Sequence, residues 1–361
     1  MEPARRMPSA AVPGRIEVVE ALRGIAALAV AWFHFTHGAG LLKDGWLKAT
    51  GEYGWLGVEV FFVISGFVIP YSMHRGGFRF GPDVGVFLGK RVLRIEPPYV
   101  AAVLITVALW YASAAVPGFR GTEPHLTWGQ VASHAGYLTA ILGFDWVNPV
   151  FWSLAIEFQF YLFAALAFPL LAHASRAVRI ASLAAFCASG AAIPSPIFLF
   201  GYAPLFTLGI VAFWRYAGLE RGAAGWLALG AACAAAAWGL SPPMAAAGIA
   251  SAIAITLVRL PRVRGLAFLG AISYSLYLLH APIGGRVVNF GARFADGLAA
   301  QLAVLACAVA AAIGAAWLLW FCVDRPAQRW AAALRYRGRA AMPRTAPAAP
   351  EEPDASPGTT R

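Results

Sequence analysis

Two residue types that a membrane helix rarely keeps stand eleven positions apart in EALRGIAALAVAWFHFTHG (20–38), the arginine Arg23 and the histidine His34. At 3.6 residues per turn they come within roughly 20° of one another on a helix face, about 16 Å apart along its axis. A guanidinium holds phosphate through a planar fork of donors, and an imidazole can take a proton from a hydroxyl near neutral pH. One helical stripe thus joins an anion-binding group to a general base. His37, one turn beyond His34, reads as a packing histidine bonded to a neighbouring carbonyl. No third ligand accompanies the two, so no metal site is expected.

Other apolar segments bring further polar groups. VFWSLAIEFQFYLF (150–163) carries Glu157 about two turns in, with Gln159 and Tyr161 below it. A carboxylate inside a bilayer needs a partner and is a functional candidate by default. GWLGVEVFFVISGFVIP (54–70) holds Glu59 near one end, close enough to the interface to be solvated, and Ser65 deeper; AISYSLYLLHAPI (271–283) ends near His280. Turns counted along each segment put His34, Glu157 and His280 at a similar outer level. An imidazole–carboxylate group is therefore expected there. Glu59, Ser65, Tyr161 and His280 are candidates for holding a substrate, and Ser65 or a tyrosine could carry a covalent acyl group. At the opposite rim FLGKRVLRIEPPY (87–99) gathers Lys90, Arg91 and Arg94, the two arginines one turn apart if helical. No glycine-rich phosphate loop is present, so side chains would hold any phosphates.

The elements that must position these groups follow from composition. The 361 residues are 60% hydrophobic and 12% charged, about half the charge of a soluble domain. Long apolar runs recur from residue 18 to 323, and period-two alternation is absent, which predicts an all-α polytopic membrane protein and excludes a barrel. Cutting at polar and Gly/Pro punctuation yields about ten spans, 18–37, 56–73, 97–116, 150–172, 177–193, 196–214, 223–239, 243–258, 266–285 and 298–323. A shorter apolar piece, 131–144, with His134, reads as re-entrant or interfacial. Residues 1–16 form a basic tail with no cleavable signal, 17–330 the transmembrane core, and 331–361 a disordered tail rich in Ala, Pro and charge.

Charge supplies the topology. With both termini cytoplasmic, inside segments hold 22 of the 28 lysines and arginines, the asymmetry expected of a multi-pass chain. The net charge of +11 is then chiefly a topology signal, and a nucleic-acid partner is not expected. The four cysteines, Cys187, Cys233, Cys307 and Cys322, all lie in apolar runs without metal or disulfide spacing. No internal repeat of the transporter kind is visible.

Five of these pieces, in order, resemble the membrane-bound acyltransferase-3 family of O-acyltransferases: LRGIAALAVAWFHF, GVEVFFVISGFVI, KRVLRIEPPY, FWSLAIEFQFYL and ISYSLYLLHAP. The resemblance spans about 17 to 330. It implies transfer of an acyl group, usually acetyl, from acetyl-CoA or another acyl-CoA to a hydroxyl of a carbohydrate or glycoconjugate. In that reading His34 is the catalytic base, Arg23, Arg91 and Arg94 bind the donor, and Glu157 is a second functional position. Lys90-Arg91 stands where many relatives have paired arginines, which keeps the charge but loses one fork. The resemblance and the Ala- and Arg-rich composition imply a bacterial inner membrane, with membrane lipids as surroundings. The rival reading is a transporter or flippase of an anionic glycolipid, which would use the same basic mouth and turn over no thioester.

Overall fold

The computed structural model describes residues 13–38, 40–117 and 121–336. The expected basic tail up to residue 12 and the tail beyond 336 lie outside them. Among the described residues fourteen α-helices follow one another: α1 Pro13–His37, α2 Trp46–Ala49, α3 Gly57–Gly76, α4 Val84–Ala114, α5 Trp128–His134, α6 Trp152–Leu171, α7 Arg176–Ala192, α8 Ala203–Ala217, α9 Gly222–Gly239, α10 Pro242–Leu257, α11 Arg264–Leu279, α12 Gly285–Gly291, α13 Leu298–Leu319 and α14 Arg325–Ala333. No strand occurs among the described residues. Two π-helical turns, His280–Gly284 and Trp320–Asp324, join α11 to α12 and α13 to α14. Each lies at a proline, Pro282 and Pro326, a residue that cannot continue the ordinary hydrogen-bond ladder.

Among the described residues seven helical stretches are long and apolar enough to cross a bilayer, against the ten spans expected: Glu17–His37, Trp46–Gly76, Val84–Ala114, Pro149–Leu171, Gly222–Gly239, Arg264–Gly291 and Leu298–Ala333. The other three expected spans are also helices, but α7, α8 and α10 have 17, 15 and 16 residues. At 1.5 Å per residue, α8 reaches about 22 Å, short of a hydrocarbon core of about 30 Å. Its residues Ala203 to Trp214 are all buried, so α8 is the centre of the bundle. The 131–144 piece holds only the end of α5 followed by turns.

Glycines decide where helices touch. A Cβ on Gly209 of α8 would stand 2.1 Å from the carbonyl oxygen of Val63, and one on Gly66 of α3 would stand 2.3 Å from that of Phe206. The two backbones are therefore in direct contact, as small residues permit in membranes. On the basic end, Arg179 of α7 reaches Glu220 at 2.5 Å and the carbonyls of His173 and Leu219. That buried clasp closes the end of α8 onto α7. Residues 331–336 were assigned to the tail by composition, yet Ala331 and Tyr336 are buried; packing against the core overrides their polar and small-residue surroundings.

Candidate functional site

The site is built on two helices in parallel register. Gly24 of α1 meets Gly270 of α11, where a Cβ on Gly24 would lie 2.9 Å from the Gly270 nitrogen and one on Gly270 would lie 2.5 Å from the Glu20 carbonyl oxygen. Ten residues further along both chains, the rings of His34 and His280 stand 5.0 Å apart. The same offset of 246 positions at both points means that α1 and α11 run side by side in one direction with no slip. At the lower contact Arg23 Nε donates to Ser273 Oγ at 3.3 Å, and Ser273 Oγ donates in turn to the Gly270 carbonyl.

At the far end both imidazoles are held alike. His34 Nδ1 is 3.0 Å from the Val30 carbonyl and His280 Nδ1 is 3.2 Å from that of Leu276. A carbonyl only accepts, so Nδ1 carries the proton in each neutral ring and Nε2 the free lone pair. The Nε2 of His280 is buried with no partner among the described residues. His37, by contrast, is exposed, stacks on Phe33 and bonds Thr36 Oγ1.

The basic end opens into a cavity of about 850 Å³ lined by six cations, Arg23, Arg75, Lys90, Arg91, Arg94 and Arg335, and a single acid, Glu20. Arg91 donates to Ser72 Oγ at 2.6 Å, while its Nε is buried without a partner among the described residues. Phe67, Tyr71 and Tyr216, in mutual ring contact at 5.0 to 5.8 Å, form one wall. This is a concave, partly aromatic site with a large excess of positive charge, suited to a ligand with several anionic groups and a planar ring.

Arg23 also lines a second cavity, of about 50 Å³, bounded by Ser65, Ser153, Glu157, Tyr274 and Tyr277 among others. Glu157 Oε1 accepts from Tyr161 OH at 2.6 Å and from Ser65 Oγ at 3.1 Å. Above it Tyr277 OH bonds Ser153 Oγ at 2.6 Å, and the Tyr277 ring lies 5.8 Å from that of His280. Side chains thus lead from the mouth past Arg23 and Glu157 to Tyr277 and the two imidazoles. The cavity between them, about 50 Å³, has room for a few waters.

The structure corrects one grouping. Glu157 was expected level with His34, but Ser153 meets Tyr277, so four residues on, in a helix running the opposite way, Glu157 falls level with Ser273 and Arg23. Seven residues separate Ser273 from His280, which puts the carboxylate about 10 Å below the imidazoles. Turn-counting failed because α6 begins inside the bundle, where Asn148, just ahead of it, donates to the Leu278 carbonyl. Glu59 is likewise not solvated: it is 3% exposed, with Oε2 lacking a partner among the described residues. Packing of α3 on α1 and α8 covers it.

Arg23, Arg91 and Arg94 share the mouth; Ser65, Tyr161 and Glu157 form one hydrogen-bonded group; His34 pairs with His280; Glu59 joins none of these directly. Sequence reading missed Arg75 and Arg335, which come from separate segments, and gave Tyr277 no role of its own. It also missed Asp324, buried and bonded to Ser275 and Gln328. A carboxylate directly before Arg325-Pro326 at the end of an apolar run was the available signal.

Comparison with known proteins identifies the family. A family described as an acyltransferase domain matches residues 16–321. BcsY of Komagataeibacter xylinus, described as a membrane-bound transacylase, is 31% identical over 168 residues, 43% of this chain and 38% of its own length. ORF330 of Acidianus two-tailed virus, described as an acetyltransferase, is 28% identical over 144 residues, 39% of this chain and 38% of its own. The chain therefore spans well under half the length of these curated relatives. No solved structure matches it. A match over most of the chain, on a helical bundle with seven described stretches able to cross a bilayer, places this protein in the acyltransferase family.

Proposed function

We infer that the protein transfers an acyl group, acetyl in the first instance, from acyl-CoA to a hydroxyl of a carbohydrate or glycoconjugate at a bacterial inner membrane. The observation that carries this reading is the six-cation cavity joined through Arg23 to the imidazole pair. The diphosphate of the donor would rest on Arg91, Arg94 and Arg23, with its purine on the Phe67–Tyr71–Tyr216 wall, and the thioester arm would point along the α1–α11 axis. The described names of the relatives, transacylase and acetyltransferase, fit the same chemistry.

In the reaction His34 Nε2 removes the acceptor hydroxyl proton as the oxygen attacks the thioester carbonyl. The new C–O bond forms, the C–S bond breaks, and the coenzyme A thiolate takes up the proton held on His34. His280, with its free Nε2, accepts a hydrogen bond from the acceptor and holds it beside His34. Glu157, level with Arg23, balances the guanidinium while Ser65 and Tyr161 fix its carboxylate. The arm must widen the narrow cavity to reach the imidazoles, so donor binding and opening are coupled.

The test is release of free thiol from acetyl-CoA by the protein in nanodiscs, with saccharide acceptors, for the native chain, His34→Ala and Arg94→Ala. Release that falls in both variants supports the reading. Movement of a labelled glycolipid between leaflets with no thiol release would replace it with that of a flippase.

A further inference from the structure

The family match ends at residue 321, yet the cavity wall continues through Gln328, Ala331, Ala332, Leu334, Arg335 and Tyr336. Past α14 the chain leaves its helix and crosses the mouth as a strap. Contacts with three residues tie it down. Lys90 Nζ donates to the Leu334 carbonyl at 3.0 Å and sits 5.3 Å from the centre of the Tyr336 ring. Tyr336 packs edge-on against Phe78 at 5.8 Å and is 8% exposed. It also sits so close to Gly76 that a Cβ there would fall 2.4 Å from its ring.

Between the tied residues Leu334 and Tyr336, Arg335 is exposed, lines the cavity, and has no hydrogen-bond or ion-pair partner among the described residues. Arg75, at the end of α3, has the same properties on the same rim. Below them Arg23, Arg91 and Arg94 are partly buried. The cations thus lie in two tiers, a floor of three and a rim of two, with Lys90 occupied in holding the strap. One compact phosphate group would not need two tiers. A ligand with two separated anionic groups would fill both.

Resting on the acyl-CoA reading above, we propose that the Leu334–Tyr336 strap completes the donor site and that Arg335, with Arg75, binds the ribose 3′-phosphate of coenzyme A. The floor arginines take the diphosphate. The strap then sets donor selectivity, admitting coenzyme A thioesters ahead of otherwise identical donors that lack the 3′-phosphate.

Binding of coenzyme A and of 3′-dephospho-coenzyme A to the full chain in nanodiscs tests this by calorimetry, for native protein, Arg335→Ala and Arg75→Ala. The native chain is expected to favour coenzyme A by about 10-fold, the value of one solvent-accessible charge-assisted contact. Arg335→Ala should remove most of that preference while leaving the affinity for the dephospho form within about two-fold. Equal affinity of the native chain for both ligands overturns the strap assignment and leaves the acyl-CoA reading intact. An equal loss for both ligands in Arg335→Ala overturns it as well, by making the residue a general electrostatic contributor. Failure to bind either ligand removes the acyl-CoA reading and this proposal with it. Repeating the series with and without phosphatidylglycerol separates the other source of phosphate: a preference that appears only without anionic lipid, with Arg335→Ala altering lipid dependence alone, assigns the rim to lipid headgroups and overturns the proposal.

Discussion

The two ends of the polar axis differ in almost every physical respect. The basic end is open, about 850 Å³ in volume, and lined by side chains from α1, α3, α4, α8 and the segment after α13. The far end is closed around two imidazoles that both stand on one pair of helices, with His280 fully buried. The first is a preformed receptacle whose affinity comes from charge gathered across distant segments. The second is a pair of imidazoles held alike through Nδ1, His280 buried and His34 partly so. On the acyl-transfer reading proposed above, a donor would seat its anionic end at the open mouth first, and the passage toward the imidazoles would widen as its arm enters. The difference also separates binding from chemistry, because substitutions at one end need not disturb the other.

The largest effect expected from breaking that separation is at the far end. His34→Ala should lower acyl transfer by about 10²- to 10⁴-fold, the usual range for losing a general base, with the dissociation constant for coenzyme A unchanged. Calorimetry beside a thiol-release assay measures both. Weakened donor binding in that variant would show that the two ends are one site.

Glu157 sharpens the comparison because it lies between the ends. Glu157→Gln keeps an acceptor for Tyr161 and Ser65 but removes the charge beside Arg23, so turnover should fall by about 10-fold or more while the melting temperature holds. Glu157→Ala should lose activity and also about 1–3 kcal/mol of stability, since two buried hydroxyls lose their acceptor. Equal melting temperatures for the two variants would remove the hydrogen-bond role.

Gly270→Ala attacks the link itself. Its methyl group would meet the Glu20 carbonyl at 2.5 Å, forcing α1 and α11 apart at a cost of about 1–3 kcal/mol. Donor affinity and turnover should decline together, unlike the split expected of His34→Ala. Thermal unfolding and steady-state kinetics on the same preparation check this.

The smallest effect is outside the spans, at His134. Its Nδ1 lies 2.8 Å from the Gln130 carbonyl and its Nε2 accepts from the Val147 backbone N–H. Burial pushes its pKa below the ordinary histidine value. The unfolded chain then binds a proton that the fold resists, so this contribution is complete above roughly pH 6.5 and is lost as pH falls toward the lower folded value. His134→Gln should flatten the acid arm of a stability-against-pH curve without changing its neutral plateau by more than about 1 kcal/mol.

Local features were legible in the sequence and relations between segments were not. Arg23 and His34 share a face because helical periodicity is a property of one segment, and Arg91 and Arg94 reach the mouth for the same reason. The pairing of His34 with His280 depends on Gly24 and Gly270 meeting, which no single segment encodes. Glu157 was placed too high because levels were counted from the start of each helix, and α6 starts inside the bundle. Arg335 was hidden by composition: its neighbours resemble a disordered tail, and only Lys90 and the pocket beside Gly76 show that Leu334 and Tyr336 are anchored.

The slip-free register of α1 beside α11 has a mechanical corollary. Arg23 and His34 are two marks on one rod, with a second rod fastened alongside at both marks. Their spacing is a constant of the molecule, set by eleven residues of helical rise. On the acyl-transfer reading proposed above the pair would act as a gauge, and a donor whose arm is a few atoms too short or too long would not deliver its carbonyl to the imidazole. Whatever motion admits the acceptor must come from the remaining helices swinging about this fixed pair.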